Sequence, residues 1–310
     1  MPPEQACDAI AVTAGATPER IDVLVARALG VSRAAAQRAI AAGRVTVDGE
    51  APLKSLIPEP GAIIRVEPLE QSPAVAVSAP PPQVEVLYAD EHLAVIDKPA
   101  GLPVHAGAGR AARPTLVDSL CSQFPALTGL ETPAPHRPGL VHRLDADTSG
   151  VMVIGLDAPT VQALLRLFRT RRVVKQYLAL VHGRLPVERA IIEAPVGRDP
   201  TSRIRMAVTR QGGRPAQTGV RVREHLAGAS LIEADLLTGR THQIRVHLAS
   251  IGHPVIGDRT YGPRRAMPGV SRQMLHAWRL SFEHPVSGEA LSFEAPLPKD
   301  FCEVLARLRP

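Results

Sequence analysis

His142-Arg143-Leu144-Asp145-Ala146-Asp147-Thr148-Ser149-Gly150 sets a carboxylate between an arginine and a Thr-Ser-Gly turn, just after the Pro138-Gly139 breaker. Asp145 there sits on tight backbone, and the flanking positive charge favours its ionised form. Such surroundings suit a carboxylate nucleophile, whereas a general acid needs a raised pKa. Taken alone, the stretch also fits a solvated turn in which Asp147 and Ser149 cap their own backbone. Asp145 and Asp147 could pose as a glycosidase acid pair, since residues two apart on a strand share a face. That chemistry needs carboxyls roughly 5 to 9 Å apart, a separation that only tertiary structure sets. The Thr-Ser-Gly that follows casts Asp147 as a shaper of the turn.

Working outward, the 310 residues suffice for one large domain and a small one. No run approaches the roughly 20 consecutive apolar residues of a membrane span. The opening Met1-Pro2-Pro3-Glu4-Gln5 has neither the charged nor the apolar region of a secretory signal. Cys7, Cys121 and Cys302 lie far apart without a Cys-x-x-Cys pair, so neither a disulfide framework nor a zinc site is expected. His242 and His247 are five apart, a poor spacing for a shared metal face, and read as structural or ligand-contacting. A reducing cytoplasm is the expected compartment, with no membrane, no metal and a monomeric chain. The formal net charge is +6, and of 36 basic residues only Lys54, Lys98, Lys175 and Lys299 are lysines. An arginine-rich chain fits a polyanion partner. A GC-rich genome would give the same composition, so charge alone carries little weight.

A small module is predicted over residues 17–66. Thr17-Pro18-Glu19 is a helix start, and Ile21, Leu24, Val25, Ala28 and Leu29 form an apolar stripe behind it. Gly30 ends that helix, Ser32 caps a second, and Gly43 ends the second. Arg33, Gln37 and Arg38 share a polar side there, with Arg44 just beyond. A strand to Val47, the turn Asp48-Gly49 and a second strand over Ile63–Val66 complete the module. Residues 67–83, ending in Pro80-Pro81-Pro82, form an extended linker. From 84 to 310 short strands alternate with turns and a few helices: Val84–Tyr88, Leu93–Asp97, Val151–Gly155, Val173–Val181 and Leu231–Leu237 are β-like. Val161, Leu164, Leu165 and Phe168 mark an amphipathic helix, and another starts near Thr241 with Ile244, Leu248 and Ile251 on one face. This mixture predicts an α+β fold rather than a doubly wound sheet.

The first module, with Val31-Ser32-Arg33 and Gly43 to Gly49, resembles the small RNA-binding module of ribosomal protein S-four type. That resemblance implies RNA contacts from Arg33, Arg38 and Arg44. Further on, four stretches line up: Lys98-Pro99-Ala100-Gly101-Leu102; His142 to Gly150; Lys175-Gln176-Tyr177 running to Gly183; and Thr238-Gly239-Arg240-Thr241-His242-Gln243-Ile244-Arg245-Val246-His247 leading to Gly257-Asp258. With Leu275-His276-Ala277 they resemble the RNA pseudouridine synthases, specifically the large ribosomal branch (RluA family), over nearly all of residues 84–300.

The resemblance implies a mixed, mostly antiparallel sheet with an active-site cleft, and isomerisation of uridine to pseudouridine in RNA. It makes Asp145 the catalytic aspartate and Arg240 its partner arginine. Tyr177 becomes the tyrosine that stacks on the uracil and assists proton removal, and Arg143 the wedge that helps extrude the nucleotide. Lys98 and Arg245 are expected to meet RNA, although Lys98 could equally brace the cleft and Arg245 could be structural. Ala146 stands where relatives often carry a basic residue. No cofactor is implied, since neither redox chemistry nor water enters the reaction. Large-subunit ribosomal RNA is the expected substrate, with transfer RNA as the alternative. A binding-only ribosome-assembly factor would have no need of Asp145, Tyr177 and Arg240 together. A nucleoside hydrolase would need a second positioned carboxylate, and none is evident.

Overall fold

The structure is a computed structural model that describes residues 10–13, 15, 18–29, 31, 33–53, 55–67, 80–105, 114–132, 137–202, 205–265 and 267–309, with only the backbone of Ile10, Arg33 and Ala34. Thr17, Gly30, Ser32, the Arg33 side chain and most of the 67–83 linker therefore lie outside the described residues. Those up to Pro80 form one compact unit and those from Pro81 a second.

In the first unit, β1 (Ile10–Thr13), α1 (Ile21–Leu29), α2 (Arg33–Ala41), β2 (Val45–Val47) and β3 (Ile63–Val66) follow one another along the chain. The strands form an antiparallel sheet in the order β1-β3-β2. Ile21, Leu24 and Val25 of the predicted stripe are buried with Ala36, Ile40, Val45, Ile64 and Val66. Asp48-Gly49 makes a two-residue hairpin turn with both φ angles positive (50° and 90°), the conformation that Asp-Gly favours. Two expectations shift. The helix begins at Ile21, leaving Pro18–Arg20 irregular. Gln37 is not on a solvated polar side, for its amide donates 2.6 Å to the fully buried Asp22. Arg38 is exposed and Arg44 half-buried.

The second unit runs β4 (Glu85–Ala89), β5 (Leu93–Lys98), α3 (Leu116–Gln123), β6 (Ser149–Gly155), α4 (Ala158–Arg169), β7 (Val174–His182), β8 (Arg189–Glu193), β9 (Val196–Arg198), β10 (Met206–Val208), β11 (Gln217–Leu226), β12 (Ala229–Leu236), α5 (Gln243–Ser250), β13 (Leu275–Glu283), β14 (Ala290–Glu294) and α6 (Lys299–Leu308). Nine strands form one sheet, β4-β5-β6-β13-β7-β12-β11-β8, with β14 beside β13. Every pairing is antiparallel except β6 with β13. This is the mixed, mostly antiparallel sheet that the resemblance implies.

Strand β6 is buried along its whole length, and its apolar Val151-Met152-Val153-Ile154 run fits a strand covered on both faces. Helix α4 covers it through Val161 and Leu164, and Asp157 caps α4 by accepting from the Thr160 N–H at 2.7 Å. Helix α5 is not the amphipathic helix expected. Residues 243 to 248 are all buried, and Ile251 lies past the helix end, 43% exposed. Its polar side chains can be buried because each is spent on a bond. His247, for one, lies between Thr218 Oγ1 and the Ala194 carbonyl, each 2.9 Å away.

Candidate active site

The loop that carries Asp145 is held from below and behind. Lys98, fully buried at the end of β5, donates from Nζ to the carbonyls of Pro99 (2.8 Å), Leu102 (2.9 Å) and Ala146 (2.9 Å). Its three donors are thus used on the protein, and it braces the loop instead of meeting RNA. Burial pulls the Lys98 ammonium down to about 7, against the opposing charges of Asp147 and Asp145. The Gly101 N–H adds a bond to Ala146 O at 2.9 Å. Within the loop, the Thr148 N–H closes a turn on Asp145 O at 3.1 Å.

The second half of the motif is tied to the chain before and within β13. Arg272 donates to Asp147 O at 3.2 Å, Gln273 to Thr148 Oγ1 at 3.3 Å, and Ser149 Oγ meets His276 Nδ1 at 2.9 Å. Gly150, with φ +119°, lies so close to β13 that a Cβ there would fall 2.1 Å from Ala277 O. The Asp147 side chain is exposed and is not among the described residues that line the cleft with Asp145.

Asp145 does not pair with Arg240. Its partner is Arg245, whose Nη1 donates to Asp145 Oδ2 at 2.8 Å. The same guanidinium grips Asp258 twice, Nε to Oδ2 at 2.6 Å and Nη2 to Oδ1 at 2.8 Å. Burial alone would raise the Asp258 carboxyl, but those bonds and the N–H groups of Thr260 and Tyr261 hold it below the usual value. The reason for the correction is local. His242 takes a left-handed conformation (φ 56°, ψ 18°), so the chain changes direction between Arg240 and α5. Arg245, in the first turn of α5, comes to Asp145. Arg240 is left on the rim, donating from Nε to Pro215 O at 3.2 Å and from its backbone N–H to Gln243 Oε1 at 3.0 Å.

Gln243 fixes that corner. Its Oε1 also accepts from Thr238 Oγ1 at 2.8 Å, while its Nε2 donates to Gln217 O (2.9 Å) and Thr218 Oγ1 (3.0 Å). His242 Nδ1 lies 2.9 Å from Tyr261 Oη, which accepts the Met206 N–H at 2.8 Å. His242 Nε2 lies 3.8 Å from Asp145 Oδ1, the carboxylate oxygen that Arg245 leaves unbound.

These groups line a cleft of about 500 Å³. Among its described lining residues Asp145 is the one carboxylate, facing the cations Arg143, Arg169, Arg171, Lys175, Arg214, Arg240 and Arg245. Arg143, Arg169, Arg171 and Arg214 are exposed. Burial first, then the charges of Arg214 and Arg171, pulls the Arg240 pKa down, a mark of cations crowded together without an anion. Tyr177 stands between alanines on the neighbouring strands, Ala234 and Ala277, which leaves its ring room at the cleft. Burial, and then the Asp145 charge, raises its phenol well above the usual value, which favours the neutral hydroxyl. His142 stacks on Phe168 (centroids 4.7 Å apart) and accepts the Val153 N–H on Nε2 at 3.1 Å, while burial and Lys175 hold its pKa down to about 3.

The structure thus brings Asp145, Arg143, Tyr177, Arg240 and Arg245 to one cleft, with Lys98 beneath. Arg38 and Arg44 belong to the other unit. The reading from sequence did not single out Asp258 and Tyr261 as site residues, and it left His242 between a structural and a contacting role. The signal for Asp258 and Tyr261 was the run Gly257-Asp258 to Tyr261-Gly262, in which an aspartate and an aromatic stand between two glycines.

Comparison with known proteins gives the family. The profile described as RNA pseudouridylate synthase matches residues 92–250, and the S4 domain profile matches residues 19–51. The chain is 46% identical over 305 residues to an "Uncharacterized RNA pseudouridine synthase" of Chloroflexus aurantiacus, covering 94% of this chain and 91% of that one. It is 39% identical to "Ribosomal large subunit pseudouridine synthase D" of Neisseria meningitidis serogroup B, covering 94% and 79%. The structure of human RNA pseudouridylate synthase domain containing 4 superposes with a TM-score of 0.58 at 28% identity, over 72% of this chain and 92% of that one.

Proposed function

The chain belongs to the RNA pseudouridine synthase family, and from that premise we propose that it converts particular uridines of large-subunit ribosomal RNA to pseudouridine, with Asp145 as nucleophile. The observation that carries this reading is the single carboxylate among the described cleft residues, one oxygen gripped by Arg245 and the other left unbound by it, in a cleft whose other charged lining residues are all basic. The names of several relatives, "Ribosomal large subunit pseudouridine synthase D", support ribosomal RNA as the substrate.

In the proposed reaction the uridine N1–C1′ bond breaks, the uracil turns, and C5 is joined to C1′ while the C5 proton is lost and N1 gains one. Atoms balance without water or an electron acceptor. Asp145 Oδ1 bears on the ribose, as a carboxylate nucleophile does in retaining glycosidases. Arg245 fixes its rotamer and keeps charge opposite it. Tyr177 lies against the uracil as a neutral ring, and its hydroxyl guides the C5 proton as an acceptor, not as a phenolate. Arg143 at the rim fills the space that the extruded nucleotide vacates. The exposed wall arginines hold phosphates, and the S4 domain adds RNA contact through Arg33, Arg38 and Arg44.

Asp145→Asn tests the reading. The variant is expected to bind RNA nearly as well as wild type and to lose turnover by on the order of 10³-fold or more. Pseudouridine mapping of RNA from cells that carry wild type or the variant then locates the target. Normal pseudouridine formation by Asp145→Asn would overturn the mechanism, and sites confined to transfer RNA would overturn the substrate.

A further inference from the structure

Resting on that reading, we propose that His242 donates a hydrogen bond from Nε2 to the 2′-hydroxyl of the target ribose.

Three features of the ring point there. First, its tautomer is set. Tyr261 Oη already accepts the Met206 N–H, so its single proton is best directed at His242 Nδ1, 2.9 Å away. A neutral imidazole that accepts at Nδ1 carries its proton at Nε2. Burial favours that neutral form by lowering the His242 pKa, an effect that the Asp145 charge only partly offsets.

Second, Nε2 sits beside the reacting oxygen without being used by it. The distance to Asp145 Oδ1 is 3.8 Å, too long for a hydrogen bond. Oδ1 is also the oxygen left unbound by Arg245. An attacked sugar carbon would stand about 3 to 3.5 Å from Oδ1. A donor flanking Oδ1 then reaches an oxygen on the neighbouring sugar carbon. Of the two oxygens near C1′, the ring oxygen gives up electron density as positive charge grows at C1′ and becomes a poor acceptor. The 2′-hydroxyl remains, and hydrogen bonds to the equivalent hydroxyl strengthen in glycoside transition states. If Asp145 acted at C2′ instead, the same hydroxyl would be nearer still.

Third, the backbone at His242 is strained toward this placement. A non-glycine residue at φ 56° holds an unfavourable conformation. The side chain does not offset that cost by capping α5, for it makes no capping bond there. Its ring instead lies edge-on to Tyr261, with centroids 5.7 Å apart, and lines the cleft.

The test pairs two enzymes with two substrates. One substrate is an RNA fragment bearing a uridine that wild type converts, and the other is its twin with 2′-deoxyuridine at that position. His242→Asn suits the left-handed backbone but is too short to reach, whereas His242→Gln can place an N–H where Nε2 stands. Wild type is expected to lose about tenfold in single-turnover rate on the deoxy twin. His242→Asn should lose about tenfold on the ribose substrate but less than about twofold more on the twin. His242→Gln should recover most of both the rate and the sensitivity to the 2′-hydroxyl. If the deoxy twin is inert with every enzyme, competitive binding affinities supply the same cycle. Losses that simply multiply, or an unimpaired His242→Asn enzyme, would overturn the role of His242. A wild-type chain that converts no uridine would instead overturn the function on which it rests.

Discussion

The floor and the wall of the cleft are built from the same kinds of residue and behave in opposite ways. On the floor, Arg245 is 7% exposed, Asp258 is fully buried and Asp145 is 19% exposed at its side chain, and three bonds of 2.6 to 2.8 Å join them. Charge there is spent on charge, so geometry is fixed before any substrate arrives. On the wall, Arg143, Arg169, Arg171 and Arg214 stand in solvent around a cleft whose one carboxylate already has a partner. Such cations serve a polyanion that is yet to come. Arg240 and Arg245, five residues apart in one motif, fall on either side of this division. The residue type sets what an arginine can do, and burial decides which of these it does.

The largest test of the division exchanges the two motif arginines in turn. Arg245→Lys keeps a charge but loses the fork that spans both aspartates. It should lower turnover by on the order of 10²-fold through misplacement of Asp145 and cost about 3 kcal/mol in denaturant unfolding by leaving Asp258 underpaired. Arg240→Lys should leave turnover at saturating RNA nearly intact. The reverse ranking would mean that floor and wall have been assigned the wrong way round.

Next in size is Gly150→Ala. Its Cβ would meet the β13 backbone, and the residue keeps a φ that side chains avoid. A loss of about 2 to 3 kcal/mol is expected, seen as a lower melting temperature together with weakened activity, because the Asp145 loop hangs from that junction. The wall should respond more gently. Arg171→Ala is expected to weaken RNA affinity several-fold and to reduce the slope of log affinity against log salt by about 0.7 to 0.9 for each phosphate it no longer neutralises, with turnover at saturation unchanged. A changed turnover with an unchanged slope would move Arg171 from wall to floor.

The smallest effect probes the support beside Lys98. Asp97 faces Glu85 across the β4–β5 pair, and burial, then that like charge, lifts its carboxyl from 3.8 to about 6. The folded state holds this proton in a range where the unfolded chain has released it. Its contribution is therefore full below pH 3.8 and lost as pH rises through about 6. Asp97→Asn should raise stability at pH 7 by about 1 kcal/mol, discounted for partial exposure, and flatten the dependence of melting temperature on pH across that same range.

Much of this was legible in the chain, though unevenly. The apolar runs of the larger strands follow from local residue chemistry and the structure keeps them, whereas the turn expected over Asp147 to Gly150 closes earlier, from Asp145 to Thr148, and Ser149 and Gly150 already belong to β6. The pairing of Arg240 with Asp145 came from the resemblance, and two arginines stand five apart in the same motif. The left-handed His242 turns the chain between them and brings Arg245 to the carboxylate, and nothing in a histidine announces φ 56°. Lys98 was ambiguous because its three acceptors come from positions 1, 4 and 48 residues away. Strands β8 to β11 and β13–β14 were missed since their partners, not their own patterns, define them. Helix α6 did carry a signal, Phe301, Val304 and Leu305 at helical spacing, and the structure buries all three.

The one parallel pairing has a consequence in time. Strand β13 lies between β6 and β7, so it joins the half-sheet β4-β5-β6 to the half-sheet that continues from β7. Residues 275–283 are synthesised well after β6, which pairs with them across more than a hundred residues of chain. Each half can begin to form as the polypeptide emerges, but the seam waits for a long loop to close. Because Asp147, Thr148 and Ser149 are fastened to Arg272, Gln273 and His276, the placement of Asp145 depends on that seam. A chain truncated before Leu275 would keep the whole motif yet lack the contacts that position it, so on the proposed mechanism it is expected to form no pseudouridine.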